Sequence, residues 1–213
     1  IHKNHVETAV KNPETLQGIG INSPTHVYSR ASTSSKALKS YAQGSILKYK
    51  TFSNNWYQAT VYINGKRQTG YIHKNHVENV VKKQERLNGY ALKNPTNVYK
   101  IASRNSKVLK PYNQGDKLIY TTFTKEWYQA TVYINGKKHT GYIHVSDVAE
   151  TLARTGYVSA ISLNAFATYE ELANGVTNNA IFQLNLNDWV AVLETKNYGA
   201  KVLTEKGRGW IHK

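Results

Sequence analysis

Residues 56–65 read WYQATVYING, and residues 127–136 read the same ten letters 71 positions later. Val, Ile, Tyr and Thr dominate the stretch, and Asn-Gly closes it, as Asn64-Gly65 and again as Asn135-Gly136. Runs rich in β-branched and aromatic residues read as strands. Asn-Gly between two such runs signals a two-residue hairpin, because both central residues of a type I′ turn need positive φ. A two-residue loop fixes the register. Ile63 then faces Lys66, Tyr62 faces Arg67, Thr60 faces Thr69, Gln58 faces Tyr71 and Trp56 faces His73. Alternation sends Tyr57, Ala59, Val61 and Ile63 to the core with Ile72 beside them. The other face carries Trp56, Gln58, Thr60 and Tyr62 against His73, Tyr71, Thr69 and Arg67. In the second copy it carries Trp127, Gln129, Thr131 and Tyr133 against His144, Tyr142, Thr140 and Lys138.

The repeat extends outward from this hairpin. THVYSRASTSSKALKSYAQGSILKY from Thr25 matches TNVYKIASRNSKVLKPYNQGDKLIY from Thr96, and KRQTGYIH at 66–73 matches KKHTGYIH at 137–144. IHKNHVE opens the chain and recurs from Ile72, so Ile1 is expected to begin inside the last strand of a preceding repeat. The absence of Met fits a mature or excised piece. A third copy is worn. It closes on GWIH at 209–212, and its Gly156-Tyr157 echoes Gly89-Tyr90. Trp189 is expected in the place of Trp127, and its 21-residue distance to the closing aromatic, against 15 in the second copy, predicts a longer terminal hairpin. The division is a tail and linker over 1–14, module 1 over 15–80, a linker and module 2 over 81–150, and a divergent module 3 over 151–213. Strands are expected in module 1 at 26–30, 45–51, 56–63 and 68–73, and only residues 168–174 suggest a helix. Four or five short strands per module predict an all-β fold of three small barrels in a row, each with a thin core that packs on its neighbour.

The pattern VYSRASTSSKAL…YAQGSILKY…NNWYQA…GYIH resembles a bacterial SH3-like module (SH3b) over nearly all of modules 1 and 2. In module 3 the resemblance rests on Trp189, Gly209, Trp210 and Ile211. The closing Gly-Tyr and Gly-Trp pairs and the basic charge resemble the GW variant of that family, although Tyr71 and Tyr142 stand where GW repeats carry Trp. The resemblance implies tandem SH3-like barrels without catalytic activity. It further implies a secreted protein held at the Gram-positive cell wall through teichoic or lipoteichoic acid, or through peptidoglycan peptide or glycan. The attached passenger would be an autolysin, an adhesin or an S-layer protein.

Charge points the same way. The chain has 213 residues with 28 Lys+Arg against 13 Asp+Glu, a net +15. The net charge is +7 over 15–80, +5 over 85–150 and only +1 over 151–213. A basic surface suits a polymer of phosphodiesters, which lysine meets as a mobile point charge. Each exposed contact is worth only ~0–1 kcal/mol, so affinity has to come from linked copies. The candidate ligand-binding residues are Lys48, Lys50, Trp56, Tyr62, Lys66, Arg67, Tyr71 and His73 in module 1. In module 2 they are Lys117, Trp127, Tyr133, Lys137, Lys138, Tyr142 and His144. Trp56, Tyr62, Trp127 and Tyr133 are the expected exposed platforms, with an interface between modules as the competing explanation for them.

Other chemistry is poorly supported. With 0 Cys there is no disulfide, thiolate metal site or cysteine nucleophile. No apolar run approaches the ~18 residues of a membrane span. His73 and His76, like His2 and His5, stand three apart, but a structural zinc site needs four ligands, and Asp147 takes the second place in module 2, so no metal is assigned. His73 and His144 are expected to close their strands beside the Trp. No cofactor is implied and no catalytic residue is assigned. Asp116 matches Ser45 and Glu126 matches Asn55, so the repeats share no carboxylate pair for glycoside hydrolysis. Glu170 and Glu171 are expected on a short helical turn. Two rival functions are a wall-hydrolase fragment, with module 3 inside a catalytic unit, and a nucleic-acid binder. The low Arg count and the absence of an RNA motif speak against the second.

Overall fold

The computed structural model describes residues 7–149, 154–175 and 177–213. Module 1 contains β1 (Thr15–Gly20), β2 (Thr25–Tyr28), β3 (Ala37–Tyr41), β4 (Ile46–Thr51), β5 (Trp56–Ile63), β6 (Lys66–His73) and, after a 3-10 turn, β7 (Val77–Asn79). Module 2 repeats them as β8 (Arg86–Ala91), β9 (Thr96–Tyr99), β10 (Val108–Tyr112), β11 (Lys117–Thr122), β12 (Trp127–Ile134), β13 (Lys137–His144) and β14 (Val148–Ala149). Each forms a seven-stranded antiparallel sheet, β3-β2-β6-β5-β4-β1-β7 and β10-β9-β13-β12-β11-β8-β14. Seven strands replace the expected four or five. The glycines of β1 and the mostly exposed β3 weaken the alternation that marks a strand.

The hairpin register is the expected one, from Trp56↔His73 to Ile63↔Lys66 and from Trp127↔His144 to Ile134↔Lys137. Asn64 and Gly65 have φ of 49° and 76°, as the type I′ turn requires. Val27, Leu47, Tyr49, Tyr57, Ala59, Val61, Ile72 and Val77 form one core drawn from β2, β4, β5, β6 and β7. A single sheet therefore curls over its own core. The end strands β3 and β7 do not pair with each other, so the hydrogen-bonded ring is not closed. The glycine of the closing Gly-Tyr lets β2 cross β6 closely. A Cβ on Gly70 would press on Val27 and lie 3.1 Å from the Tyr28 carbonyl oxygen, and one on Gly141 would meet Val98 and the Tyr99 oxygen likewise.

Module 3 comprises β15 (Arg154–Tyr157), β16 (Ser162–Ala165), α1 (Tyr169–Ala173), β17 (Phe182–Asn185), β18 (Trp189–Thr195), β19 (Gly199–Thr204) and β20 (Gly207–His212). Its sheet runs β15-β18-β19-β20, with β16-β17 joined to it by a bridge from Phe166 to Trp210. The helix starts in a capping box between Thr168 and Glu171.

The strand pairings correct the expected register of this module. Gly156 pairs with Val190 and Tyr157 with Trp189, as Gly89 pairs with Leu118 and Tyr90 with Lys117. Trp189 thus occupies the place of Lys117, not that of Trp127. The counterpart of the β12–β13 hairpin is β19–β20, and it is shorter, with six-residue strands in place of eight. The turn before β18 shows the true match. Asp188 accepts from the Asn185 N–H at 2.9 Å as Asp116 accepts from the Asn113 N–H at 2.8 Å, and Asn187 adopts positive φ where Gly115 does.

The modules pack on one another. Ile19 and Val80 of module 1 enter a cluster with Tyr99, Ala102, Phe123, Trp127 and Tyr142 of module 2. Tyr90, Leu92 and Ala149 meet Trp189, Ala191 and Leu203 of module 3.

Candidate functional site

In both modules a groove opens where the β5–β6 ribbon leaves the rest of the sheet. Strand β4 pairs with β5 only through Lys50↔Gln58 and Thr51↔Tyr57, then continues along β1, while β5 stays paired with β6 out to Ile63. The gap between the diverging strands is lined by Thr15, Lys48, Tyr49, Lys50, Gln58, Ala59, Thr60, Arg67 and Thr69. In module 2 the lining is Arg86, Ile119, Tyr120, Thr121, Gln129, Ala130, Thr131, Tyr133, Lys138 and Thr140. The two grooves coincide in the repeat. They share a tyrosine floor, a glutamine, two threonines and a cation at position 67 or 138. Their volumes are about 280 and 610 Å³.

Among the described residues no carboxylate lines either groove. Among the described residues none lies within ion-pair distance of Lys48, Lys50, Arg67, Arg86 or Lys138. Some cations elsewhere are matched, whereas Lys36, Lys39, Lys100, Lys107 and Lys110 likewise have no carboxylate within ion-pair distance among the described residues. Lys82 meets Glu14 at 2.7 Å and Lys83 meets Glu85 at 3.3 Å. Lys93 and a bidentate Arg104 close on buried Asp147 at 2.6 and 2.8 Å. Burial alone would raise the Asp147 carboxyl, but Arg104 and Lys93 outweigh it and hold it below the usual carboxylate range.

The predicted residues divide into three groups. Lys48, Lys50 and Arg67 line the first groove, and Tyr133 and Lys138 line the second. Tyr62 and Tyr133 are 62% and 64% exposed, directly across from Arg67 and Lys138. Lys66 and Lys137 flank the exposed hairpin turns, and Lys117 is exposed on β11 outside the groove.

Trp56 and Trp127, expected as exposed platforms, are only 6% and 7% exposed. Trp56 is covered by Tyr28 and His73, whose rings stand edge-on at 6.1 and 4.9 Å. Trp127 is covered by His144 and by the Ile19–Phe123 cluster between modules. Tyr71 and Tyr142 pack on Phe52 and Phe123 at 4.9 and 5.2 Å, away from the groove. His73 and His144 each accept a backbone N–H, from Asn75 and Ser146, and so cap the 3-10 turn that ends the strand. Burial, reinforced by Arg104, lowers the pKa of His144. His2 and His5 lie outside the described residues.

The sequence reading missed Thr15, Gln58, Thr60 and Thr69 as lining, and also the cation Arg86. The Thr15↔Lys50 pairing brings position 15, and hence Arg86 at position 86, to the groove rim, and alternation within one hairpin carries no trace of that pairing. The floor is rigid. Tyr49 stacks on Tyr57 at 4.4 Å, donates to Asn79 at 2.6 Å, and has its phenol pKa pushed up by burial.

No protein-family model and no curated protein matches the chain. Among solved structures, CBDP35 is 16% identical with a TM-score of 0.24, over 65% of this chain and 98% of its own. NlpC2 from Trichomonas vaginalis is 10% identical with a TM-score of 0.25, over 77% of this chain and 60% of its own. NlpC1 from the same organism is 8% identical with a TM-score of 0.25, over 99% and 92%. Scores this low carry no argument about function.

Proposed function

We propose that modules 1 and 2 are non-catalytic binding units that hold a secreted protein at a Gram-positive cell wall by gripping an anionic wall polymer, teichoic or lipoteichoic acid. The observation that supports this reading is the pair of matched grooves, each with unneutralised cations at its rim and, among the described residues, no lining carboxylate. A phosphodiester chain laid along a groove meets Lys48, Lys50 and Arg67, then Arg86 and Lys138 in the next module. Gln58, Thr60 and Thr69 offer hydrogen bonds to polyol or sugar hydroxyls. Each charge contact is weak, and the linked second groove raises the effective concentration of the first. Module 3, with a net charge of +1, has a structural role or a different recognition role.

One feature favours a second reading. Beyond the pairing with Lys50, β5 keeps β6 on one side while β4 has diverged on the other, so its outer edge is placed to take an extended peptide such as a peptidoglycan stem. Co-sedimentation with purified walls, before and after removal of their phosphodiester polymer, separates the two. Polymer binding predicts at least a tenfold fall on stripped walls, with weakening as salt rises. Undiminished binding to stripped walls would overturn it in favour of the peptide.

A further inference from the structure

We infer that the two grooves take different parts of the polymer: the groove of module 1 holds a bare phosphodiester, and the groove of module 2 holds a sugar ring carried beside a phosphate, with Ile119 and Tyr133 setting the difference. This rests on the reading of both grooves as sites for an anionic wall polymer.

The repeat allows the two linings to be compared position by position. Tyr49, Gln58, Ala59, Thr60 and Thr69 recur as their own residue types in the second groove, and Arg67 recurs as Lys138. Three lining positions change in kind. Lys48 becomes Ile119, Lys50 becomes Thr121 and Thr15 becomes Arg86. The last two changes form one exchange, because Thr15 pairs with Lys50 across β1 and β4, as Arg86 pairs with Thr121 across β8 and β11. The cation has moved from the strand that borders the gap to the next strand out.

In module 1 the bordering strand carries two ammonium groups, and the Arg67 guanidinium stands across the gap on β6. In module 2 the bordering strand offers an aliphatic side chain and a hydroxyl instead. Ile119 is 54% exposed, and it lies one residue past the last pairing of β11 with β12, Tyr120↔Ala130, where the strands part. Tyr133 lines the same gap from β12 and is just as open. Tyr62 is equally exposed in module 1, but it is not among the residues that line the first groove. Two exposed large apolar groups that line one groove are informative where a single one is not.

Size agrees with this chemistry. About 280 Å³ falls short of the ~300–1,000 Å³ of cavities that enclose a small organic ligand, and about 610 Å³ falls inside that range. The narrow groove, with three cations around it, suits a compact phosphate. The wide one supplies what a pyranose needs. The Tyr133 ring and the Ile119 branch cover its C–H faces, Gln129 and Thr131 meet its hydroxyls, and Arg86 and Lys138 hold the phosphate beside it.

The test titrates the full chain with two probes, unsubstituted poly(glycerol phosphate) and the same polymer bearing glucosyl substituents. The unaltered chain should bind the glucosylated polymer tighter by about threefold or more. Ile119→Ser with Tyr133→Ala should weaken the glucosylated polymer by about fivefold or more, the scale of one lost ring contact, and change the bare polymer by less than about twofold. Ile119→Lys with Thr121→Lys gives module 2 the β4 residues of module 1. It should weaken the glucosylated polymer and tighten the bare one by about threefold. If the first pair lowers the unfolding temperature by more than about 5 °C, the second pair decides alone, and a bare-polymer affinity that does not rise overturns the inference. It is equally overturned if the unaltered chain binds both probes alike, or if Ile119→Ser with Tyr133→Ala weakens both alike or neither. Those results leave the wall-polymer reading standing, whereas binding of neither probe by the unaltered chain overturns both.

Discussion

Positions 76 and 147 are equivalent in the repeat, yet one is His and the other Asp, and their surroundings differ to match. His76 keeps its Nδ1 buried without a hydrogen-bond partner among the described residues, and burial, with His73 and His26 adding to it, lowers its pKa. A folded pKa below the unfolded value, ~6.5 for His, gives stability that is present above that pH and lost as pH falls. Module 1 should weaken between pH 7.5 and 5 by residue-resolved hydrogen exchange, and His76→Gln should flatten that dependence. An unchanged slope in His76→Gln would contradict it. Asp147, also lowered, contributes above the unfolded carboxylate value of ~3.9 and loses that contribution as pH falls below it. Asp147→Asn should cost module 2 about 2 kcal/mol at pH 7 by urea unfolding, because Arg104 and Lys93 lose a charged acceptor. The cost should shrink below pH 4. Gly70→Ala is expected to cost about 1–3 kcal/mol, since its methyl has no room against Val27 and the Tyr28 carbonyl.

At the scale of elements, the hairpin was legible because Asn-Gly sets both the turn and the register, and every core residue of β5 follows by alternation. Alternation names the two faces of a strand but not what covers them. Trp56 and Trp127 lie on the face assigned to them and are buried all the same, by rings from β2, by the capping histidines and, for Trp127, by a neighbouring module. The groove was half legible for the same reason. Its β4 lysines and β6 arginine stand out in the sequence, whereas the Arg86 rim depends on a pairing with a distant strand. Module 3 misleads because a Trp is conspicuous, while the match that counts is the turn, NQGDK at 113–117 against NLNDW at 185–189. That match is testable. Asp188→Ala should destabilise module 3 by about 1 kcal/mol, as Asp116→Ala should module 2, because each leaves a turn N–H without its acceptor. Thermal unfolding of the two variants checks this, and an inert Asp188→Ala would contradict the register.

For the whole molecule, the interfaces turn three small cores into one array. Ile19 is buried against module 2 while belonging to β1 of module 1. Ile19→Ala should cost about 2–4 kcal/mol, and amide exchange should rise in both modules; a rise confined to module 1 would contradict the coupling. Packing between the modules also sets how one groove faces the next, so the proposed polymer would meet both in a set relation.

The most direct measurement compares two fivefold Gln variants for binding to walls that retain their phosphodiester polymer. One neutralises the groove set Lys48, Lys50, Arg67, Arg86 and Lys138, and the other the exposed set Lys36, Lys39, Lys100, Lys107 and Lys110, an equal change in net charge. The groove variant is predicted to lose at least tenfold more affinity than the other and to show a shallower salt dependence. Equal losses from the two sets would mean that bulk charge, and not the grooves, holds the polymer.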